Sequence, residues 1–193
     1  KHGLTADNLT SAEVVTPDGE VVTGSERENA DLLWGLRGGG GNFGVVTEFT
    51  YQAHAVGPEV FFTVVLYHAD HARQALKLYR DFNESAPDEA TAFAALGMIP
   101  EGAEKFPEEI RGLHFVGFKG MYAGPVEEGK RVMAPLRRLA EPLVDGSQVL
   151  PYVKAQQVGD ARLPAGEMRH YWKAVNLMEL SDAAIESIVD YHR

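Results

Sequence analysis

Apolar positions along this chain alternate in some stretches and recur at helical spacing in others. Val14-Val15 and Val21-Val22 flank Pro17-Asp18-Gly19-Glu20, and Asp-Gly between valine-rich runs predicts a β-hairpin over residues 11–16 and 21–23. Residues 31–36 then place Leu32, Leu33 and Leu36 on one helical face with Trp34 beside them. Ser25 with Glu28 fits a capping box for that helix, and Asn29 and Asp31 are alternative caps. A strand pattern resumes over residues 44–53. His54-Ala55-Val56-Gly57-Pro58 punctuates the chain, which predicts domains over 1–57 and 58–193.

Beyond that boundary, Val60-Phe61-Phe62-Thr63-Val64-Val65-Leu66-Tyr67 is almost continuously apolar, as in a strand covered on both faces. Asp70 is placed to cap a helix carrying Ala72, Ala75, Leu76, Tyr79 and Phe82. Strands follow over 91–98 and 112–122. In the second, His114, Val116, Phe118 and Gly120 share one face, and Phe115, Gly117, Lys119 and Met121 share the other. Gly124-Pro125 opens a helix with Val126, Val132, Met133, Leu136, Leu139 and Leu143 as its stripe. A strand over 169–177 and a helix capped at Ser181-Asp182, carrying Ile185, Ile188 and Val189, complete the pattern. Strands and helices in this order predict an α+β fold, an antiparallel or mixed sheet covered by helices on one face.

Composition narrows the function classes. The 193 residues are 45% hydrophobic and 24% charged, an ordinary globular balance. A net charge of −10 argues against nucleic acid and anionic membranes as partners. With no cysteine, disulfides, thiolate metal sites, a cysteine nucleophile and a cysteinyl cofactor link are excluded within the chain. No apolar run approaches the about 18 residues that span a bilayer. No signal peptide is visible at the start, which has no Met and opens on Lys1-His2-Gly3; the compartment is left open, with cytoplasmic favoured over secreted as the expectation. His68 and His71 are three apart but lack a third ligand in pattern, so no metal site is expected.

Residues 37–46, Arg-Gly-Gly-Gly-Gly-Asn-Phe-Gly-Val-Val, are the most unusual stretch. Gly39-x-Gly41-x-x-Gly44 satisfies G-x-G-x-x-G, but a dinucleotide fingerprint follows a strand and opens a helix. Here a helix precedes and a strand follows. No Lys-Ser/Thr pair comes after the glycines, so a P-loop is excluded as well. Glycines in such a turn admit close backbone approach, either to a ligand or to the chain itself.

The segments Gly3-Leu4-Thr5-Ala6-Asp7-Asn8-Leu9, Ser11-Ala12-Glu13-Val14-Val15, Asp18-Gly19-Glu20-Val21 and 29–47 run in the order and spacing of one family. The chain resembles the FAD-linked oxidases of the vanillyl-alcohol oxidase type, with a PCMH-type FAD-binding domain. Within them it is most similar to the bacterial branch related to berberine bridge enzyme. The resemblance implies that residues 1–57 are the end of the FAD-binding domain and 58–193 the first part of a substrate domain. The family's FAD pyrophosphate loop and flavin-linking residue lie upstream of the Gly-Leu-Thr segment, so a fragment of a longer protein is expected.

The same resemblance implies FAD as cofactor and a small-molecule substrate. Asn8 and Leu9 would lie in a segment approaching the cofactor, with the backbone of Gly41, Asn42, Phe43, Gly44 and Val45 running beside it. His114, Tyr122, Tyr171, Trp172 and Lys173 are candidates to line the flavin's open face on the substrate side, and no catalytic residue is assigned. The activity implied is oxidation of an alcohol, sugar or secondary-metabolite C–H, with dioxygen as acceptor. A reading of another class is a non-catalytic domain or assembly module that does not bind FAD alone. Self-association is expected of a fragment with uncovered edges.

Overall fold

The computed structural model describes residues 2–162, 166, 169 and 171–192. The Asp18-Gly19 hairpin forms where the valine pattern places it. β1 (Leu9–Val15) pairs antiparallel with β2 (Val21–Ser25), with Val15 opposite Val21. The Thr16 N–H donates to the Glu20 carbonyl at 2.9 Å across the turn. β3 (Val45–Tyr51) pairs along the other side of β1, so this three-stranded sheet runs β2-β1-β3.

Between β2 and β3 lies α1 (Ala30–Leu36), which buries Leu33. Trp34, expected beside the leucines, is 80% exposed. It lies a further 100° round the helix from Leu33, beyond the face that a short helix can bury. Asn29 holds the N-cap position in left-handed backbone, and its side chain donates to the Thr23 carbonyl rather than capping. Ser25 does not open the helix. Its hydroxyl accepts from the N–H groups of Arg27 and Glu28 and turns the chain at the end of β2.

The chain divides into two compact units, Lys1–Ala55 and Val56–Arg193. In the second, β4 (Glu59–His68) is followed by α2 (Ala72–Ser85), β5 (Ala90–Met98) and β6 (His114–Tyr122). After α3 (Val126–Val132) come β7 (Val144–Asp145), β8 (Gln148–Pro151), α4 (Tyr152–Gln156) and α5 (Asp182–His192). The sheet has five strands in the order β5-β6-β4-β7, and β8 shares the β7 side of β4. Every pairing is antiparallel.

Strand periodicity sorts the side chains onto two faces. Phe61, Val65 and Tyr67 of β4 and Val116, Phe118 and Tyr122 of β6 join one buried cluster with α2, α5 and the turn after α3. Helix α2 contributes Ala72, Ala75, Leu76 and Phe82, at the spacing that brings one stripe against the sheet. Each large aliphatic or aromatic side chain buried this way is worth about 1.5–3 kcal/mol. Exposed ion pairs Arg73–Glu186, Lys77–Asp182 and Arg80–Asp182 tie α2 to α5 in an orientation that salt will weaken.

Four details depart from the sequence pattern. Asp70 lies inside a short 3-10 turn, Ala69–His71, and His71 takes the cap position of α2. The helix expected to reach Leu143 stops at Val132, and Ala134–Arg137 continues as a 3-10 turn. Pro135 explains the break, because it lacks an N–H and its ring disfavours helix in the preceding residue. The strand expected over 169–177 has no ladder among the described residues, and His170 lies outside them. A strand needs a partner edge, whatever its propensity, and no described strand pairs with these residues. Helix α5 buries Ile185 and Val189 but leaves Ile188 at the surface.

Candidate functional site

The glycine stretch forms a 3-10 turn, Gly40–Asn42, between α1 and β3. Its glycines do different jobs. A side chain on Gly39 would collide with the Phe43 ring, which folds back over the end of α1. Gly44 has φ +139°, and a Cβ there would strike the Val15 carbonyl of β1. Both are needed by the chain's own packing. Gly41 is not: its φ is −80°, which any residue adopts, and a Cβ there meets nothing within 4 Å. The bare, exposed backbone at Gly41 is where an external group could approach most closely, as the residue type would suit a cofactor edge. Beside it, Asn42 Nδ2 donates to the Gly39 carbonyl at 2.6 Å and stiffens the turn. Val45 opens β3 with an exposed side chain.

Asn8 and Leu9 both take part in hydrogen bonds within the first unit. Asn8 Nδ2 donates to the carbonyls of His2 and Leu4, both at 2.8 Å. Its Oδ1 accepts from His54 Nε2 at 2.6 Å, and the His54 ring stacks on His2 with centroids 3.7 Å apart. Leu9 is buried, and its carbonyl accepts from Arg37 through Nη2 at 2.6 Å and Nε at 3.3 Å. Arg37, the residue before the glycines, thereby clamps α1 to the start of β1. Leu9 thus ties the start of the loop to β1, while the bonds of Asn8 join His2, Leu4 and His54.

The substrate-side candidates fall in different places. Tyr122 is 2% exposed and packs in the helix-covered core. Burial pushes its hydroxyl above the ordinary phenol range, and the neighbouring Glu128 adds to the rise. His114 starts β6 with its ring edge-on to His192 of α5, centroids 5.3 Å apart. Tyr171, Trp172 and Lys173 sit in an exposed segment with the Lys173 ammonium 5.6 Å from the Tyr171 ring centroid. The structure therefore does not gather the five into one constellation.

A residue not singled out as a site candidate stands on the face of β6 turned away from Val116 and Phe118. Lys119 stands opposite Val64 of β4 and Phe93 of β5, with its ammonium 5.8 Å from the Phe62 ring centroid. Its neighbours on that face along β6 are Gly117 and Met121, and it makes no ion pair among the described residues. One lysine within an apolar alternation was a signal visible in the sequence. No group of three or more histidine, aspartate or glutamate side chains suited to a metal occurs among the described residues.

No protein-family model matches the chain. It is 38% identical over 148 residues to the FAD-linked oxidoreductase pgmH of Aspergillus terreus, which covers 75% of this chain and 29% of that protein. It is 52% identical over 59 residues to a xylooligosaccharide oxidase of Thermothelomyces thermophilus, covering 31% of this chain and 12% of the relative. Among solved structures, a chitooligosaccharide oxidase superposes with a TM-score of 0.65 at 26% identity, over 99% of this chain and 40% of that one. The named relatives are FAD-linked oxidoreductases and oligosaccharide oxidases, and a berberine-bridge-enzyme-like protein of Physcomitrella patens shares the fold, with a TM-score of 0.70 at 22% identity over 98% of this chain and 42% of that one. The chain spans between 28% and 38% of the length of four of its curated relatives.

Proposed function

We propose that this chain, a homologue of FAD-linked oxidoreductases, is part of a longer flavoenzyme that oxidises a small alcohol, sugar or secondary metabolite. The observation that carries the reading is Gly41, whose lack of a side chain neither backbone conformation nor packing within the chain demands. When bound, FAD supplies the hydride acceptor for oxidation at a C–H bond beside an alcohol or amine, with dioxygen as the final acceptor. The chain's own part is to present the exposed backbone of Gly41 and Asn42 to the cofactor's polar edge. Arg37 ties the start of that loop to β1 through its bonds to the Leu9 carbonyl.

On the substrate side, the exposed Lys119 beside Phe62 and Phe93 suits contact with a neutral or electron-rich small molecule better than the buried Tyr122 does. Placement in the bacterial branch rests on the resemblance of the glycine segment. Sugar substrates are favoured by the oligosaccharide oxidases among the relatives, an argument from likeness.

The test is visible flavin absorption in the purified longer protein. A coloured, FAD-containing protein is expected, and a colourless one that FAD cannot reconstitute overturns the reading. Titrated with FAD by itself, the 193-residue chain is expected to bind weakly or not at all; tight stoichiometric binding would contradict that. The outer side of β3, with exposed Val45, Phe49 and Tyr51, is proposed to drive self-association of the isolated chain. A monodisperse monomer in sedimentation would rule that out.

A further inference from the structure

We propose that a cleft on the second unit binds a small anion carried on an apolar body, such as an aryl phosphate ester. The cleft has a volume of about 610 Å³, in the range of small-molecule sites. Its apolar surface comes from Phe61 of β4 and Val149 of β8, and its cations are Lys130 of α3 with Arg137 and Arg138 after it. Three cations converging on one concavity stand out on a chain of net charge −10.

Their existing partners leave positive charge over. Lys130 is paired with Glu127 at 2.6 Å, and Arg137 with Asp145 at 2.7 Å. Arg138 makes no ion pair or side-chain hydrogen bond among the described residues. Three cations against two carboxylates leave one uncompensated positive charge at the cleft. A monoester phosphate more than neutralises that single excess charge, and the planar fork of Arg138 can take two of its oxygens at once.

The site is also partly prepared. Arg137 is fixed by Asp145, and its guanidinium lies 5.7 Å from the Phe61 ring centroid, so little ordering is needed there on binding. Ser147, at the cleft's far side, is anchored by accepting from the Val64 N–H at 3.2 Å. Val149 and Ala134, with the buried Phe61 behind them, then receive the ring or alkyl chain that carries the anion. The inference is independent of flavin binding, since every residue in it belongs to the second unit.

The experiment is a calorimetric titration of the 193-residue chain with phenyl phosphate, with benzyl alcohol as the uncharged probe and benzoate as the carboxylate probe. Saturable one-site binding of phenyl phosphate is expected, weakening as salt is raised, with no binding of benzyl alcohol. Benzoate is expected to bind at the same site more weakly, in keeping with its single charge. Arg138→Gln is expected to weaken phenyl phosphate at least tenfold while leaving the circular dichroism and melting of the chain unchanged. Arg27→Gln, an exposed arginine of the first unit, is expected to leave binding unaltered. Absence of saturable binding, or equal binding by Arg138→Gln, overturns the proposal.

Discussion

Arg137 donates both Nε and Nη2 to a single oxygen of Asp145, at 3.0 and 2.7 Å, and so fastens the turn after α3 to the two-residue strand β7. β7 is too short to hold its place by ladder bonds alone. Burial raises the Asp145 carboxyl, but the hydrogen bonds from Arg137 and Ser147 outweigh it and leave the group below the ordinary carboxylate range. A carboxyl held low in the fold stabilises it above the unfolded value, and the contribution is lost as pH falls through the folded value. Asp145→Asn is expected to lower stability by about 1–3 kcal/mol at neutral pH, with the gap to wild type closing in acid. Urea unfolding across that range checks it, and equal neutral-pH midpoints would contradict the bridge.

Helix α5 offers a test of rotational phase. Ile185 is fully buried while Ile188 faces out, although both belong to the helix's apolar positions. Ile185→Ala is expected to cost about 2–5 kcal/mol, and Ile188→Ala less than about 0.5 kcal/mol. Similar losses from the two would mean that the helix docks with another face.

Trp34 and Trp172 are the chain's two tryptophans, and they are 80% and 77% exposed. Native emission is therefore expected at the wavelength of solvated indole, with little shift on unfolding. A markedly blue-shifted native spectrum would show that one of them is covered.

The glycine loop separates packing from ligand approach. Gly44→Ala is expected to destabilise the chain by about 2 kcal/mol or more, since a methyl group there meets the Val15 carbonyl in a backbone region that disfavours side chains. Gly41→Ala is expected to be neutral or stabilising by up to about 1 kcal/mol, through the unfolded chain alone. Thermal melting of both variants decides it, and equal destabilisation would remove the distinction.

Much of this architecture was legible because its signals are local and periodic. The Asp18-Gly19 hairpin, a strand over the β4 run and the two-face alternation of β6 all appear. What stayed hidden depends on partners far along the chain. β7 and β8 are too short to show a period, yet they take the β4 edge, and β8 lines the cationic cleft with Gln148 and Val149. Tyr171 and Trp172 have strand propensity but no ladder in the described structure, and their exposure follows from that. The glycine segment was readable as a turn that lets backbone approach closely. That Gly39 and Gly44 serve Phe43 and β1, leaving Gly41 for an outside group, needed coordinates.

The most direct test of the central claim compares bound FAD in the longer protein with and without Gly41→Val, alongside the melting of this chain carrying the same change. The account predicts a coloured wild-type protein, FAD affinity at least tenfold weaker in the variant, and unchanged melting of the chain. Undiminished FAD binding by Gly41→Val, or a wild-type protein that takes up no FAD, would contradict it.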